Sequence, residues 1–268
     1  MRALKMNGTG NAFLLVDARG HDVDIAPERI SRWGRTHRFD QLLKLESSEK
    51  ADARYRIWNR DGSEVGACGN GARCAGWYLT EDKSSASAWL EADYGITETI
   101  RTDGFRMRVD LGEARTGWRD IPLSREMDTV GLDYTIELGG LRLDRPGAVS
   151  MGNPHAVFVV DTLDDLPIKT LGPRIETDPL FPERVNAGFM QVRAANHIRL
   201  RVWERGTGLT LACGTGAAAA VVAGHRKGLL ERICTVEVDG GTLQIDWHDD
   251  NHVWLEGPVE LEGEVELA

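Results

Sequence analysis

The sequence has no long apolar run. None of its segments approaches the roughly 20 apolar residues that an α-helix needs to cross a bilayer. The first residues, MRALKMNGTGNAFLLVD, show no apolar core followed by a small-residue cleavage site. We therefore expect a globular protein located in the cytoplasm, with no membrane partner.

Cysteine and clustered positive charge are also scarce. The 268 residues include only 4 cysteines, too few for a disulfide scaffold, and none of them shows the CxxC spacing of zinc or thioredoxin sites. The formal net charge is −10, and lysine and arginine are scattered along the chain. No basic surface for a nucleic-acid backbone is expected, so we expect no nucleic-acid partner.

An internal repeat is the most informative feature of the sequence. RIWNRDGSEVGACGNGA, residues 56–72, aligns without a gap on RVWERGTGLTLACGTGA, residues 201–217, at an offset of 145. AFLLVD from Ala12 and AVFVVD from Ala156 recur at an offset of 144. Two matches at nearly one offset predict a duplicated domain: one half of residues 1–115, completed by the C-terminal strand 257–268, and a second half of residues 116–256.

Short alternating segments bounded by turns predict an α+β fold with antiparallel sheets. The expected strands cover residues 13–17, 55–58, 96–101, 105–111, 156–161, 197–203, 236–238 and 252–255. After Cys68 and after Cys213 the period of the strands breaks, and the segments ARCAGWYL from Ala72 and AAAAVVAGH from Ala217 are helix-forming in content. Each half should therefore deliver a cysteine to the start of a helix.

A cysteine at a helix N-terminus is suited to acid–base chemistry. The helix dipole and the unpaired backbone N–H groups lower the pKa of the thiol, and the adjacent glycines let a ligand carboxylate approach the same N–H groups. If the halves are related by a pseudo-twofold axis, Cys68 and Cys213 would flank one substrate carbon. One thiolate would then remove a proton while the opposite thiol delivers one, which inverts the stereocentre.

A buried cysteine is more often a small hydrophobe than a catalyst. That interpretation stands for Cys74 and Cys234, which lack a matching partner in the repeat. It is weaker for Cys68 and Cys213, because packing alone does not require the glycines of the two ACGxGA segments.

The chain resembles the diaminopimelate epimerases in six segments: KMNGTGNAF at Lys5, FDQL at Phe39, NRDGSEVGACGNGARC at Asn59, SMGNPHAVFVVD at Ser150, RVNAGFMQV at Arg184 and RVWERGTGLTLACGTGAA at Arg201. The resemblance implies two similar antiparallel α/β domains, each wrapping a central helix, with the active site between them. It implies interconversion of LL- and meso-diaminopimelate for lysine and peptidoglycan precursors, without pyridoxal phosphate, metal or other cofactor. Members of this family often form dimers, so the resemblance also leads us to expect a homodimer.

The resemblance also assigns site residues by position. The proton-transfer cysteines are Cys68 and Cys213, and His155 and Glu204 are expected beside them to shuttle or orient a proton. The reacting end of the substrate is expected to contact Asn11, Gln41, Gly69, Asn70, Gly214 and Thr215. The distal end is expected to contact Asn59, Asn153, Asn186, Glu204 and Arg205, with Arg205 on the second carboxylate and Glu204 on the second ammonium.

Two alternatives remain open at this point. A racemase of the same fold could act on another amino acid, such as histidine or proline, because the cysteine pair sets the reaction and the distal pocket sets the substrate. Cys68 and Cys213 could instead form a reversible disulfide in a redox sensor. The chain also has Ala12 where the family often has an acidic residue, and an altered loop, residues 36–40, before Gln41.

Overall fold

The computed structural model describes residues 1–21, 23–66, 68–93 and 95–268. The chain divides into two compact units, one of Met1–Asp110 with Glu256–Ala268 and one of Leu111–Leu255. The halves predicted from the repeat differ from these units by a few residues at each boundary. That the two halves arose by duplication stays a prediction.

The described residues of the first unit form strands and two helices. In chain order its elements are β1 (Arg2–Gly8), β2 (Asn11–Asp17), α1 (Pro27–Thr36), β3 (Gln41–Glu46), β4 (Ala53–Asn59), β5 (Glu64–Val65), α2 (Gly69–Lys83), β6 (Ser87–Ala92) and β7 (Gly95–Asp103). The chain then passes to the second unit along β8 (Arg106–Glu113), and the C-terminal β19 (Glu260–Glu266) belongs to the first unit.

The second unit has a similar composition. Its elements are β9 (Thr135–Leu138), β10 (Leu141–Asp144), β11 (Gly147–Ser150), β12 (Pro154–Val159), α3 (Ile168–Glu176), β13 (Asn186–Ala194), β14 (His197–Glu204), β15 (Gly208–Leu209), α4 (Gly214–Arg226), β16 (Ile233–Val238) and β17 (Gly241–Trp247). The chain returns to the first unit along β18 (His252–Pro258). All eight predicted strands overlap strands of the structure.

Strand pairing follows one order in both units. β1–β2, β3–β4, β4–β5 and β6–β7 are antiparallel in the first unit, as are β11–β12, β13–β14, β14–β15 and β16–β17 in the second. β2–β3, β4–β6, β12–β13 and β14–β16 are parallel. Each parallel pair has a helix between its strands in the sequence, because parallel neighbours require a crossover connection. The fold is α+β, as predicted.

The strand register corrects one part of the repeat argument. Phe13 pairs with Gln41 in the first unit, and His155 pairs with Asn186 in the second. Gln41 and Asn186 are 145 positions apart, as the two repeat cysteines are, whereas Phe13 and His155 are 142 apart. The AFLLVD match at an offset of 144 is therefore two residues out of structural register. It escaped notice in the sequence because a two-residue slip keeps every side chain on the same face.

Both faces of the first unit's sheet are covered. α2 packs against β1, β2, β3, β6 and β7 on one face. On the other face, Ile30 and Trp33 of α1 pack with Leu14, Val16 and Leu42 of β2 and β3. Strands covered on both faces need apolar side chains at consecutive positions, which is why these two strands read AFLLV and LLKL without alternation.

The second unit is built in the same way. α4 packs against β11, β12, β13, β14, β16 and β17, and its consecutive alanines and valines are buried on all sides. Leu171 and Ile175 of α3 join Phe158 and Phe189 of the sheet in an apolar cluster, where the two phenylalanine rings are stacked with centroids 5.9 Å apart. α3 contacts β13, β14 and β15 closely enough that one position tolerates only glycine.

That position gives a stability prediction. A β-carbon at Gly172 in α3 would lie 2.3 Å from Cγ of Trp203, which is far inside contact distance. We expect Gly172→Ala to lower the free energy of unfolding by about 1–3 kcal/mol, the usual cost of overpacking a core. Urea unfolding checks this value. Gly104→Ala is the matched control because none of the described residues lies within 4 Å of its added methyl group. Equal stability of the two variants would contradict the close packing of Gly172 against Trp203.

Candidate active site

Each unit places one repeat cysteine at the N-cap of its buried helix. Cys68 caps α2 and Cys213 caps α4, both with extended backbone angles. The Sγ of Cys68 accepts a hydrogen bond from the N–H of Gly71 at 3.4 Å. The Sγ of Cys213 lies 3.7 Å from the hydroxyl of Thr215 and accepts from the N–H of Gly216. The prediction that a cysteine begins a helix in each half is confirmed.

The glycines of the two ACGxGA segments have a structural reason. A β-carbon at Gly71 would lie 2.5 Å from the hydroxyl of Tyr55, and one at Gly216 would lie 2.9 Å from Cγ2 of Val202 and 3.2 Å from Sγ of Cys213. Glycine thus lets the first helical turn approach the neighbouring strand. The Tyr55 hydroxyl donates to the carbonyl of Cys68 at 3.1 Å, which fixes the turn before α2.

The first residues of both helices offer backbone donors. N–H groups at the first positions of a helix have no carbonyl within the helix to bond. Across the described part of the chain, the N–H groups of Gly69, Asn70, Gly214 and Thr215 have no protein partner. These are four of the six predicted contacts to the reacting end. Two N–H groups beside each cysteine are therefore available to an anion at the positive end of the helix dipole.

Cys213 is held as a neutral thiol. The residue is only 5% exposed, and burial together with the adjacent carboxylate of Glu204 raises the pKa of the thiol well above 9. Burial also raises the pKa of Glu204, and hydrogen bonds from Thr210 and Cys213 oppose that effect. With its pKa raised in this way, the Cys213 thiol is protonated at neutral pH, which is the state that a proton donor requires.

Four of the predicted binding residues of the first unit form two hydrogen-bonded pairs. Nε2 of Gln41 donates to Oδ1 of Asn59 at 3.0 Å, and Nδ2 of Asn59 donates to the hydroxyl of Ser63 at 3.1 Å. Nδ2 of Asn70 donates to Oδ1 of Asn11 at 2.6 Å. In the loop before Gln41, the N–H of Ala12 donates to Oδ2 of Asp40 at 2.9 Å, so the altered segment is anchored to the start of β2.

The second unit brings together an equivalent set. Nδ2 of Asn153 donates to the hydroxyl of Thr215 at 3.3 Å, and Oδ1 of Asn153 lies 3.0 Å from Nε2 of His155. Asn186 is buried, with Nδ2 donating to the carbonyl of Pro154 at 2.8 Å and Oδ1 accepting from the N–H of Arg205 at 2.9 Å. Asn186 thus fixes the start of the turn that carries Arg205.

Arg205 is the exposed cation of this set. Its Nη1 donates to the carbonyl of Glu183 at 2.9 Å, and no carboxylate of the described residues forms an ion pair with it. The turn is held by Glu176 at the end of α3, whose carboxylate accepts from the N–H of Gly206 at 2.9 Å and from the indole of Trp203 at 2.7 Å. These hydrogen bonds fix the backbone of the turn, while part of the Arg205 guanidinium remains available to a ligand.

His155 is fully buried, and this changes the expectation for its role. Burial, with a smaller contribution from the positive charge of Arg205, lowers the pKa of His155 to about 3. The ring is therefore neutral at physiological pH. Since Asn153 uses its nitrogen on Thr215, its Oδ1 accepts from His155, which places the ring proton on Nε2. These contacts favour a positioning role for His155 over the predicted proton shuttle.

Because His155 is buried in its neutral form, the stability of the protein should depend on pH. The pKa of His155 is about 3 in the folded protein, against about 6.5 in the unfolded chain. Its contribution to the free energy of unfolding is therefore complete above pH 6.5 and declines as the pH falls toward 3. We expect this residue to remove about 2–3 kcal/mol of unfolding free energy between pH 6.5 and 4.5. Urea unfolding of wild type and His155→Gln over this range tests it: the glutamine variant should lose less stability, and parallel curves would contradict it.

Three contributors to the site were not predicted from the sequence: Tyr55 beside Cys68, Thr210 beside Glu204, and the buried Arg73 of α2. The signal for Arg73 was present. A single arginine follows the cysteine turn in an otherwise small and apolar helix segment, GNGARCAGW, and such a residue is either exposed or functionally partnered.

Comparison with known proteins decides the family. The sequence model described as diaminopimelate epimerase matches residues 3–117 and 147–262. The chain belongs to the diaminopimelate epimerase family. A diaminopimelate epimerase of Acidiphilium cryptum is 47% identical to it over 270 residues, covering 99% of this chain and 96% of the relative. One of Phenylobacterium zucineum is 45% identical over 271 residues, covering 98% and 96%.

A solved structure shares the fold of this family member. A predicted epimerase from Pseudomonas aeruginosa superposes with a TM-score of 0.71 at 18% identity, covering 99% of this chain and 98% of that one. Family membership makes the protein an isomerase. Of the helices that the structure describes, none is long and apolar enough to cross a membrane.

Proposed function

We propose that this protein interconverts LL- and meso-diaminopimelate, using Cys68 and Cys213 as its two acid–base groups. The observation that carries the proposal is the matched pair of N-cap cysteines, one in each unit, each followed by unpartnered backbone N–H groups. Family membership supplies the reaction class, and the contacts around each cysteine supply the roles.

The two cysteines have different surroundings, which suits a thiolate and a thiol. Cys68 is half-buried, and its sulfur accepts from the N–H of Gly71. Cys213 is buried beside the carboxylate of Glu204, and both the burial and the negative charge raise its pKa and keep it protonated. In one direction the Cys68 thiolate takes the α-proton, and the electron pair left on the α-carbon delocalises into the carboxylate. The Cys213 thiol then delivers its proton to the opposite face of that carbon.

The reverse direction exchanges these roles. After one turnover Cys68 is a thiol and Cys213 is a thiolate, so the enzyme is ready to act on the product. Charge that develops on the α-carboxylate is stabilised by the N–H groups of Gly69 and Asn70 in one unit and of Gly214 and Thr215 in the other. All of these steps are carried by groups of this chain.

Specificity for a substrate that is charged at both ends rests on the distal set. Arg205 supplies an open guanidinium, which can bind a second carboxylate bidentately. Glu204 supplies a carboxylate for the second ammonium group, in addition to its contact with Cys213. The amides of Asn59, Asn153 and Asn186 complete the polar lining. Histidine and proline lack a second carboxylate, so this set disfavours them as substrates.

The test is proton exchange followed by NMR with reduced protein in deuterated water. LL-diaminopimelate should be converted to meso product with deuterium at one α-carbon, whereas histidine and proline should not be inverted. Inversion of either in place of diaminopimelate would refute the distal assignment and leave the two-thiol reaction standing. Absence of exchange with every substrate in the presence of a thiol reductant would refute the epimerase and favour a redox role for the two cysteines.

The proposal extends to the setting of the reaction. Formation of meso-diaminopimelate places the protein in lysine and peptidoglycan precursor synthesis, and we expect it to act in the cytoplasm as a homodimer. Sedimentation velocity of the reduced protein measures the oligomeric state directly. A monomer at the concentration that supports full activity would contradict the dimer.

A further inference from the structure

Arg73 is the least expected side chain of the first unit. It lies in α2, five positions after Cys68, and is 0% exposed. In the part of the chain that the structure describes, no carboxylate lies within ion-pair distance of its guanidinium. Burying an arginine without a carboxylate partner is costly, because the charge loses its hydration and gains no opposite charge in return. Such a charge needs an explanation beyond stability.

The contacts of Arg73 lead toward the substrate-binding amides. Nη2 donates to Oδ1 of Asn70 at 2.7 Å and to the hydroxyl of Thr9 at 2.9 Å, and Nη1 lies 3.4 Å from the carbonyl of Pro258. Nε is buried, and no described residue accepts a hydrogen bond from it. Thr9 has a positive φ of 55° in the turn between β1 and β2, so the same guanidinium also fixes the turn that precedes Asn11.

A guanidinium can only donate, and this fixes the polarity of the chain of hydrogen bonds. The atom of Asn70 that faces Arg73 must be Oδ1. Nδ2 of Asn70 must then face Asn11, which it does at 2.6 Å, so the atom of Asn11 that accepts must also be Oδ1. The Nδ2 group of Asn11 is left over, and none of the described residues accepts from it.

The second unit also orients an asparagine with a buried donor, but the donor is a different residue. Ala218 stands at the repeat position of Arg73, 145 residues later, and cannot donate from its side chain. There the buried His155 donates to Oδ1 of Asn153, and Nδ2 of Asn153 donates to Thr215. Arg73 binds the second residue of its cysteine helix, Asn70, whereas His155 binds an asparagine that contacts the second residue of the other, Thr215. In both units, therefore, a buried donor orients an asparagine at the start of the cysteine helix.

We propose that Arg73 is a positioning residue, whose buried guanidinium orients the Asn70 and Asn11 amides so that Nδ2 of Asn11 donates to the carboxylate at the reacting end of the substrate. This assignment rests on the proposed function for the identity of that carboxylate. The orientation of the amides does not depend on it. Burial lowers the pKa of Arg73 to about 10, partly offset by the nearby Cys74 and Cys68, so the group stays charged at neutral pH.

The first arm of the test needs no substrate. Hydrogen exchange of the asparagine side-chain NH2 groups is measured by NMR in wild type, Arg73→Met and Arg73→Lys. The hydrogen-bonded Nδ2 protons of Asn70 should exchange at least about tenfold faster in Arg73→Met, because Oδ1 loses its donor and the amide can rotate. Lysine keeps the charge and a donor, so Arg73→Lys should restore slow exchange in part.

The second arm measures steady-state kinetics with LL-diaminopimelate. Arg73→Met should raise KM about tenfold and lower kcat by a similar factor, since a donor to the carboxylate is lost both in binding and as charge develops. Arg73→Lys should recover at least part of both. A damaged fraction of the protein lowers the apparent kcat but leaves KM unchanged, so the change in KM separates positioning from structural damage.

Arg101→Met is the matched control. Arg101 is a partly buried arginine on β7 that donates to Thr80 of α2 at 2.9 Å, and it contacts none of these asparagines. It should change neither Asn70 exchange nor KM. Asn70→Ala completes a double-mutant cycle. With the Asn70 side chain absent, Arg73→Met should cause little further loss of kcat/KM. Additive losses of kcat/KM would overturn the proposal that Arg73 acts through Asn70.

The two arms separate the failure of this proposal from the failure of the proposed function. If hydrogen exchange of the Asn70 side-chain NH2 group is unchanged in folded Arg73→Met, the proposed orientation of the amides by Arg73 is overturned, whatever the activity of the wild type. Accelerated exchange together with an inactive wild type leaves the orientation of the amides standing and refutes the diaminopimelate assignment. Accelerated exchange in an active enzyme with unchanged KM and kcat would show that the orientation does not serve substrate binding, and would also overturn the proposal.

Discussion

Cys213→Ala should abolish epimerisation, with kcat/KM for LL-diaminopimelate falling by at least about 10³-fold, and Cys68→Ala should do the same. Loss of a positioned acid or base removes about 10²–10⁴-fold in rate, and inversion needs both groups in each turnover. NMR and a coupled optical assay measure the loss. The thermal unfolding midpoints of the variants show whether each remains folded.

The two variants should differ from an inactive protein in one respect. A single remaining thiol can remove a proton and return one to the same face, so any residual deuterium exchange should occur without inversion. Cys234→Ala is the matched control, since it removes a buried thiol of the second unit that has no place in the proposed chemistry. Full inversion by either Cys68→Ala or Cys213→Ala would overturn the two-thiol mechanism.

Arg205→Leu should have the second large effect, a loss of about 10²-fold or more in kcat/KM, mostly through a higher KM. Charge-assisted hydrogen bonds contribute roughly 1.5–3 kcal/mol each, and a bidentate pair contributes two of them. Arg205→Lys should fall between wild type and Arg205→Leu, because an ammonium keeps the charge but cannot bind both carboxylate oxygens in one plane.

An analogue without the second carboxylate sharpens this test. Wild type should prefer diaminopimelate to lysine strongly, and Arg205→Leu should reduce that preference by the same factor that it loses on diaminopimelate. Arg201→Leu is the control, since Arg201 lies on β14 and is bound to Asp239 at 3.0 Å. An unchanged preference in Arg205→Leu would place the distal carboxylate on another residue.

The helices that present the cysteines were predictable because their sequence signal is local. The segments after the two glycine turns, ARCAGWYL and AAAAVVAGH, contain helix-forming residues, and the N-cap position follows from where that composition begins. β3 was not predicted, because a strand covered on both faces reads LLKLE with no alternation, and periodicity does not separate such a run from a buried helix. α1 was also missed, although Pro27 at its first turn is a start signal.

The same distinction between local and tertiary signals separates the site residues that were predictable from those that were not. Cys68, Cys213 and the neighbouring glycines were predictable from the repeat, which needs no knowledge of distant contacts. The contacts of His155 were not, because its role depends on complete burial, which lowers its pKa to about 3. The two-residue error in the AFLLVD register has a similar origin, since only strand pairing distinguishes an offset of 142 from one of 144.

The amino-acid sequence by itself determined the repeat, the two cysteine turns, the α+β class and the family, since these depend on local composition and on residues that are close together in the chain. Tertiary structure decided which side chains are buried and which polar atoms meet. Arg73 and Asn11 are separated by 62 positions in sequence, yet Asn70 joins them by two hydrogen bonds. Hydrogen-bond polarity and desolvation act between groups brought together by folding, so the protonation of Cys213 and His155 and the orientation of the amides follow only from the folded chain.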